Sequence, residues 1–204
     1  SAFVGEMSSA VITLAYNFVI LGIAGNIGVA AYGVVANIAI VTTAAFNEIA
    51  QGSQPLISKC FGKGDREGCL QLKKMGYITA FVLAGIMYCI LFTFSKEFVA
   101  IFNSEGSEMM AVYADMGVKL YFTGIFFAGL NIVGSGVFSA TQEAVKAAVV
   151  SVARGFVFIL GFVFLLSYLF GMTGVWLAYA AAEGATCVLM FVMLISDRSK
   201  MRNK

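Results

Sequence analysis

The most informative feature of this 204-residue sequence is what it lacks. It has no histidine, which excludes His-ligated metal centres, Ser-His-Asp triads and Cys-His pairs. Charged residues make up 12% of the chain, whereas a soluble domain carries about 25%. With 60% hydrophobic residues and a mean hydropathy of +0.92, an ordinary soluble globule is excluded. The net charge of +2 is too small for a protein that binds nucleic acid through its phosphates, so we expect no nucleic-acid partner.

Proline and cysteine are also scarce. A single proline, Pro55, together with 22 glycines suits long, closely packed helices rather than a loop-rich β fold. The four cysteines show neither a CxxC motif nor a disulfide-like spacing, so we expect free thiols. Because the sequence offers no nucleophile–base set and no cluster of metal ligands, we expect neither an enzyme nor a cofactor.

Long charge-free runs predict membrane-spanning helices, since a span needs about 20 apolar residues. The run from Met7 to Asn47 is too long for one span, and Gly25-Asn26-Ile27-Gly28 divides it into a tight helical hairpin. Phe170-Gly171-Met172-Thr173-Gly174 divides the last run in the same way. We therefore predict an all-α integral membrane protein in which residues 1–204 form one six-helix bundle. The predicted spans are roughly 1–24, 30–59, 70–94, 109–140, 145–169 and 174–196.

The positive charges predict the orientation in the lipid bilayer. All of the 13 Lys and Arg residues except Lys96 and Lys119 lie in the segment 59–74, around the turn at 141–146 or after span six. Since short cytoplasmic loops carry the Lys and Arg excess, both ends of the chain are expected on the cytoplasmic side of the cell membrane. The chain does not begin with Met and its first residues already look helical, so we expect a fragment of a longer multi-pass protein.

Carboxylates inside a span are costly and are candidates for function. Three qualify, Glu6, Glu48 and Glu183. If the first turn is centred at residues 26–27, Glu6 lies level with Glu48, and Asn17 lies level with Asn37. Two carboxylates at close range cannot both ionise cheaply, so Glu6 and Glu48 would hold one proton or share a Na⁺ ion. The alternative interpretation is that these polar layers only pack helices together or line a cavity.

The remaining candidates lie in the second, fourth and sixth spans. Gln51 and Pro55 extend the polar face of Glu48, and Pro55 predicts a hinge because it frees a backbone carbonyl; a static bend is the alternative. Asn131 begins a polar face in the fourth span. Glu183, near the centre of the sixth, would either hold a cationic ligand or pair with Arg154. The candidates for binding a coupling ion or a substrate are therefore Glu6, Asn17, Asn37, Glu48, Gln51, Asn131 and Glu183.

Four motifs carry a family resemblance. GVAAYGVVAN at residues 28–37 is followed by IAQGSQPLIS at 49–58, which leads into FGKGD at 61–65. GLN at 129–131 comes with GVFSAT at 136–141, and GVWLA at 174–178 comes shortly before Ala182 and Glu183. In this order the motifs resemble the C-terminal half of a multidrug and toxic compound extrusion (MATE) transporter over essentially the whole chain.

The resemblance implies a twelve-helix antiporter built from two six-helix bundles related by a pseudo-twofold axis. This chain would form helices seven to twelve, and an N-terminal six-helix lobe would be its partner. Such transporters export organic cations by rocking between inward-open and outward-open forms, driven by Na⁺ or H⁺. The resemblance makes Glu6 a candidate for an acid that the sodium-coupled branch has in helix seven. In helix ten, where that branch has a second acid, Ala128 and Asn131 are the nearest residues.

Two alternative functions stay open at this point. A flippase of the same superfamily, which moves lipid-linked saccharides, would have a more cationic cavity, and Arg154 is the strongly embedded cation that the sequence offers. A non-transporting membrane scaffold subunit would tolerate the replacement of Glu6, Glu48 or Glu183 by Gln without loss of function.

Overall fold

The computed structural model describes the backbone of residues 2–202 and the side chains of residues 10–194, and every regular element in this part of the chain is helical. The prediction of an all-α chain with long apolar helices is confirmed. The helices are α1 (Ala2–Gly62), α2 (Arg66–Thr93), α3 (Ser95–Phe102), α4 (Glu108–Tyr121), α5 (Ile125–Ala140), α6 (Ala144–Val152) and α7 (Ile159–Arg202). A 3₁₀ turn, Phe122–Gly124, joins α4 to α5, and a π-helical segment, Ala153–Phe158, joins α6 to α7.

Four helical stretches among the described residues are long and apolar enough to cross a membrane: Ala10–Gly62, Arg66–Thr93, Glu108–Ala140 and Ala144–Leu194. The first and last contain 53 and 51 residues. At 1.5 Å per residue, each would be more than about 75 Å long if straight, against about 30 Å of hydrocarbon. Each contains one glycine with a non-helical backbone, Gly25 at φ 62° and ψ −157° and Gly171 at φ 58° and ψ −135°.

The chain reverses its direction at Gly25. The rings of Tyr16 and Tyr32 stack with their centroids 4.8 Å apart, although sixteen residues of straight helix would separate them by about 24 Å. Gly28 also lies against Ile20, so closely that an added Cβ would stand 2.8 Å from the Ile20 side chain. A positive φ is open to glycine at little cost, which is why the reversal occurs at this residue.

The position of this turn corrects the predicted register. Tyr16 opposes Tyr32 and Ile20 opposes Gly28, so both pairs are symmetric about residue 24 rather than about residues 26–27. Asn17 therefore lies level with residue 31 and not with Asn37. The amide of Asn37 donates from Nδ2 to the carbonyl oxygen of Gly33, 2.8 Å away in its own helix. The predicted layer of two paired amides is wrong for this reason.

A second reversal occurs at Gly171. The backbone of Gly174 contacts the carbonyl oxygen of Leu166, and an added Cβ on Gly174 would stand 3.0 Å from the backbone nitrogen of Ser167. Eight residues of straight helix would place Gly174 about 12 Å from Leu166. The two turns thus share one design, in which the first glycine of a Gly-x-x-Gly sequence takes a positive φ and the second allows the returning helix to approach closely.

The core lies where α1, α4, α5 and α7 meet. Glycines make the close approach possible: Gly129 of α5 lies against Phe46 of α1, and Gly117 of α4 lies against Trp176 of α7. The outer face of α2, by contrast, presents exposed apolar side chains such as Ile78 and Ile86, as expected of a helix that faces lipid.

Candidate functional site

An ion pair lies at the centre of the buried region. Nε of Arg154, in the π-helical segment, donates to Oε1 of Glu183 in α7 at 2.6 Å. The side chain of Glu183 is 3% exposed and that of Arg154 is 27% exposed. Of the two interpretations of Glu183, the structure contains the pairing with Arg154. Such a pair is strongly coupled, because removing one partner leaves a buried charge without compensation, at a cost of roughly 3–5 kcal/mol.

Asn131 of α5 completes the surroundings of this carboxylate. Its Nδ2 donates to Oε2 of Glu183 at 2.8 Å and to the backbone carbonyl oxygen of Glu183 at 2.9 Å. The structure thus brings together two of the residues that the sequence singled out. Asn131 is 1% exposed, and its Oδ1 has no hydrogen-bond partner among the described residues. Leaving a buried acceptor without a hydrogen bond costs about 1–3 kcal/mol. Asn131 Oδ1 could therefore accept a hydrogen bond or coordinate a cation at little further cost.

Tyr179 is a site residue that our list of candidates omitted. It lies four residues before Glu183 and interacts electrostatically with both Arg154 and Glu183. Because a phenolic hydroxyl can both donate and accept, Tyr179 is suited to a position beside an ion pair. The spacing of four residues, one helical turn, is the sequence signal that places Tyr179 on the same helix face as Glu183.

Aromatic rings enclose this polar centre on the side of α1 and α4. Tyr179 stacks on Tyr121 with ring centroids 4.1 Å apart, and Tyr121 meets Tyr16 edge to face at 6.2 Å. Tyr32 stacks on Tyr16 and lies 6.5 Å from Trp176. The Tyr16 hydroxyl and Trp176 Nε1 are both buried without a hydrogen-bond partner among the described residues. On the side of α1 and α4, the polar centre is therefore covered by buried aromatic side chains.

The π-helical segment gives Arg154 an unusual setting. A π-helix closes its hydrogen bonds over five residues instead of four, so it holds one extra residue, and such segments are frequent at functional sites. Here the segment comprises Ala153–Phe158 and lies between the regular helices α6 and α7. The irregular backbone thus occurs at the position of Arg154, the half-buried cation of the ion pair.

A second polar region lies on the surface of α1. Asn37, Glu48 and Gln51 are exposed at helical spacing, whereas Phe46, only two residues before Glu48, is buried in the core. Polar groups of this kind are costly against lipid. This surface, which we call the polar face of α1, therefore requires water or another protein segment opposite it.

Pro55 continues the polar face of α1. The helix remains regular on both sides of it, up to Gly62. Pro55 borders a groove of about 330 Å³ whose lining residues are Gln54, Pro55, Ser58, Ser139 and Ala140. A hinge at Pro55 stays a prediction.

The predicted site residues thus fall into separate groups. Asn131 and Glu183 are together in the buried centre, and Asn37, Glu48 and Gln51 are on the polar face of α1. Asn17 is half-buried. Glu6, and with it the predicted Glu6–Glu48 pair, lies outside the residues whose side chains the structure describes.

Comparison with known proteins places the chain among transporters. The family model MatE matches residues 2–165. Multidrug export protein MepA of Staphylococcus saprophyticus is 25% identical over 200 residues, which are 97% of this chain and 43% of that protein. MepA of Staphylococcus aureus strain bovine RF122 is 25% identical over 178 residues, 85% of this chain and 38% of that protein. The chain spans less than half the length of these curated relatives.

Solved structures show the same fold. An outward-facing MATE family transporter of the MOP superfamily matches 98% of this chain and 45% of its own, with a TM-score of 0.89 and 15% identity. An inward-facing one matches 98% and 46%, with a TM-score of 0.91 and 15% identity. A MOP superfamily transporter from Pyrococcus furiosus, described as having a binding pocket of reverse polarity, matches 97% and 44% with a TM-score of 0.87 and 15% identity.

Proposed function

Since the chain belongs to the MatE family of multi-pass membrane transporters, we propose that it forms the C-terminal lobe of a cation-coupled multidrug efflux antiporter. The observation that carries the proposal is the coverage: 97% of this chain aligns with 43% of a multidrug export protein. A half-length match of this kind supports one lobe of a two-lobe transporter, with an N-terminal six-helix lobe as its partner. Organic cations are the proposed substrates.

In this proposal the chain crosses the membrane six times. The stretches that reverse at Gly25 and Gly171 each supply two spans, and Arg66–Thr93 and Glu108–Ala140 supply one each. Both ends lie in the cytoplasm, because the Lys and Arg residues around 59–74 and after residue 196 belong on that side. The membrane concerned is the cell membrane.

Transport proceeds by alternating access. The chain is similar both to an outward-facing structure, with a TM-score of 0.89, and to an inward-facing one, with a TM-score of 0.91. A lobe that resembles both states equally well is suited to move as a rigid body, and the rocking of two such lobes opens the cleft to either side in turn.

The polar face of α1 lines the cleft between the lobes. Glu48 is the ionisable residue between Asn37 and Pro55, so this face attracts cations rather than anions. That charge favours an exporter of organic cations over a flippase for lipid-linked saccharides, whose cavity would be cationic. The ion and the drug compete for the transporter. The inward-open and outward-open conformers differ in their affinities for the two ligands, so binding of Na⁺ or H⁺ at the candidates Glu6, Glu48 and Glu183 drives release of the drug.

Ethidium efflux from cells that express the full-length gene tests this function. The Na⁺ and H⁺ gradients are collapsed separately, and Glu6→Gln, Glu48→Gln and Glu183→Gln are compared with Glu97→Gln, which changes an exposed acid of α3. We expect efflux that depends on one gradient and that at least one of the first three variants abolishes. A well-expressed transporter whose efflux ignores both gradients, or that exports nothing, would contradict the proposal and favour the flippase or the scaffold.

A further inference from the structure

Both oxygens of the Glu183 carboxylate accept a hydrogen bond from a side chain of this chain. Arg154 Nε donates to Oε1 at 2.6 Å and Asn131 Nδ2 donates to Oε2 at 2.8 Å, while Tyr179 interacts electrostatically with both members of the ion pair. In this conformation the positive charge that balances Glu183 is therefore supplied by the protein itself. A second cation could not join it cheaply, because the centre would then carry a net positive charge away from water.

An unused acceptor lies beside the same carboxylate. Asn131 Oδ1 is buried and has no hydrogen-bond partner among the described residues, and it shares its carbon atom with the Nδ2 that binds Glu183. The Tyr16 hydroxyl is also buried, has no hydrogen-bond partner among the described residues, and interacts electrostatically with Glu183. Carboxylate, amide and hydroxyl oxygens are the hard ligands that small cations without directional bonding prefer.

We propose that Glu183, Asn131 and Tyr179 form a monovalent-cation site that the guanidinium of Arg154 occupies in this conformation, as a tethered competitor of the transported Na⁺ or H⁺. When Arg154 withdraws, Glu183 offers its carboxylate to Na⁺ together with Asn131 Oδ1 and the Tyr179 hydroxyl, or takes up a proton. The inference rests on the proposed cation coupling, and it identifies Glu183 as the coupling carboxylate and Arg154 as its regulator.

The π-helical segment supplies the means of withdrawal. Its extra residue can be taken up or moved along the helix, and either change rotates the neighbouring side chains by about 100° per residue. Arg154 lies inside this segment, Ala153–Phe158. Its side chain is 27% exposed whereas that of Glu183 is 3% exposed, so the guanidinium has a route outward that the carboxylate does not have. Two discrete arrangements of one short segment are the kind of bistable element that coupling requires.

The titratable groups around Glu183 are Arg154 from the π-helical segment, Tyr179 and Cys187 from α7, Tyr16 from α1 and Tyr121 from α4. Arg154 is the cation of this set. Its replacement by glutamine therefore removes the internal counter-charge and leaves a shorter polar side chain, whose amide group is attached to Cδ where arginine has Nε.

The test is Na⁺ binding to the purified full-length transporter in lipid nanodiscs, measured with ²²Na⁺ and with the fluorescence of Trp176. Trp176 is the single tryptophan in this 204-residue sequence, is fully buried and lies two helical turns before Glu183. Any tryptophan elsewhere in the full-length protein is replaced by phenylalanine, so that the fluorescence reports on Trp176. We expect Arg154→Gln to bind Na⁺ about tenfold more tightly than the parent protein, within the usual range of coupling factors. Arg154→Gln combined with Glu183→Gln should bind no Na⁺ at this site.

Two further variants keep the experiment decisive. Lys119→Gln removes the cation of the Lys119–Asp115 ion pair, 2.8 Å long in α4, and should leave Na⁺ binding unchanged. Arg154→Lys retains the charge without the planar fork, so it should fold even where Arg154→Gln does not, and should bind Na⁺ with intermediate affinity.

If a proton rather than Na⁺ is the natural occupant of the site, the Trp176 fluorescence of Arg154→Gln should respond to pH and not to Na⁺. Adding Glu183→Gln should remove this pH response.

The inference is overturned if both Arg154→Gln and Arg154→Lys match the parent protein in Na⁺ affinity and in pH response. The Arg154–Glu183 pair would then serve only to stabilise the fold. That result is distinct from failure of the proposed function, which the ethidium assay on the parent transporter reports. Gradient-driven efflux with an unaltered Arg154→Gln binding curve refutes the tethered competitor alone.

Discussion

Folding removes the charged carboxylate of Glu183 from water, and Arg154 is the cation that compensates this buried charge. The side chain is 3% exposed, and Arg154 holds it at 2.6 Å. In Na⁺-free buffer, Arg154→Gln should therefore lower the free energy of unfolding by roughly 3–5 kcal/mol, because the carboxylate loses its counter-charge. Thermal unfolding of the full-length transporter, followed by a thiol-reactive or tryptophan signal, measures the loss.

Adding Glu183→Gln to the Arg154→Gln variant should recover most of that loss, since two neutral amides can hydrogen-bond to each other and to Asn131. Lys119→Gln is the control, because the Lys119 and Asp115 side chains are 31% and 24% exposed and such a pair contributes about 0–1 kcal/mol. If the double variant is no more stable than Arg154→Gln, the charge argument is wrong and the packing of the guanidinium carries the stability.

At the scale of the helix, the two Gly-x-x-Gly turns decide how α1 and α7 fold back on themselves. In the second turn the backbone of Gly174 contacts the carbonyl oxygen of Leu166, and backbone atoms cannot move aside as a flexible side chain can. Gly174→Ala should therefore destabilise the transporter by roughly 3 kcal/mol, the upper end of the cost of overpacking. The amount of folded protein recovered by size exclusion and its melting temperature provide the measurement.

Gly161→Ala is the matched control for Gly174→Ala. Gly161 also lies in α7, but an added Cβ there meets nothing within 4 Å. Alanine is the better helix former by about 0.5–1 kcal/mol, so this variant should be as stable as the parent or slightly more stable. Equal effects of the two alanines would mean that α7 does not fold back tightly at Gly171.

These turns also show what the sequence could predict. Charge-free runs and a single proline are sufficient to predict long apolar helices, and a glycine pair inside each long run is sufficient to predict where the chain reverses. The observed centre of the first turn differs from the predicted one because the reversal occurs at Gly25, the residue with positive φ, and not at the midpoint of Gly25–Gly28.

The buried centre was harder to predict. Glu183 lies 29 residues from Arg154 and 52 from Asn131 in sequence, so their contact depends on how α5 and α7 are rotated about their axes. The π-helical segment adds one residue to the period just where Arg154 occurs, and no hydrophobic pattern records that change. Periodicity therefore identified the polar residues but not their partners.

At the scale of the whole molecule, the outer surface is of two kinds. The outer face of α2 presents exposed apolar side chains, among them Ile78 and Ile86, which are 51% and 53% exposed. The polar face of α1 presents Asn37, Glu48 and Gln51. Because a bilayer solvates the first surface and penalises the second, the two faces require different surroundings, lipid for α2 and water or another protein segment for α1. In the proposed antiporter, a hydrated cleft between the lobes would surround α1.

Thiol labelling in the full-length transporter tests this division. The four cysteines of these 204 residues and any cysteine elsewhere in the full-length protein are first replaced by serine. We then expect Gln51→Cys to react with a membrane-impermeant maleimide and Ile86→Cys to stay unlabelled, because maleimides react with the thiolate, which forms in water and not in hydrocarbon. A substrate cation in excess should slow the labelling of Gln51→Cys if the polar face of α1 lines the drug path. Denatured protein, in which both cysteines should react, is the control for the labelling reaction. If the folded transporter is labelled at Ile86→Cys alone or at neither position, the arrangement is contradicted, because the polar face of α1 would then be covered by protein throughout the transport cycle.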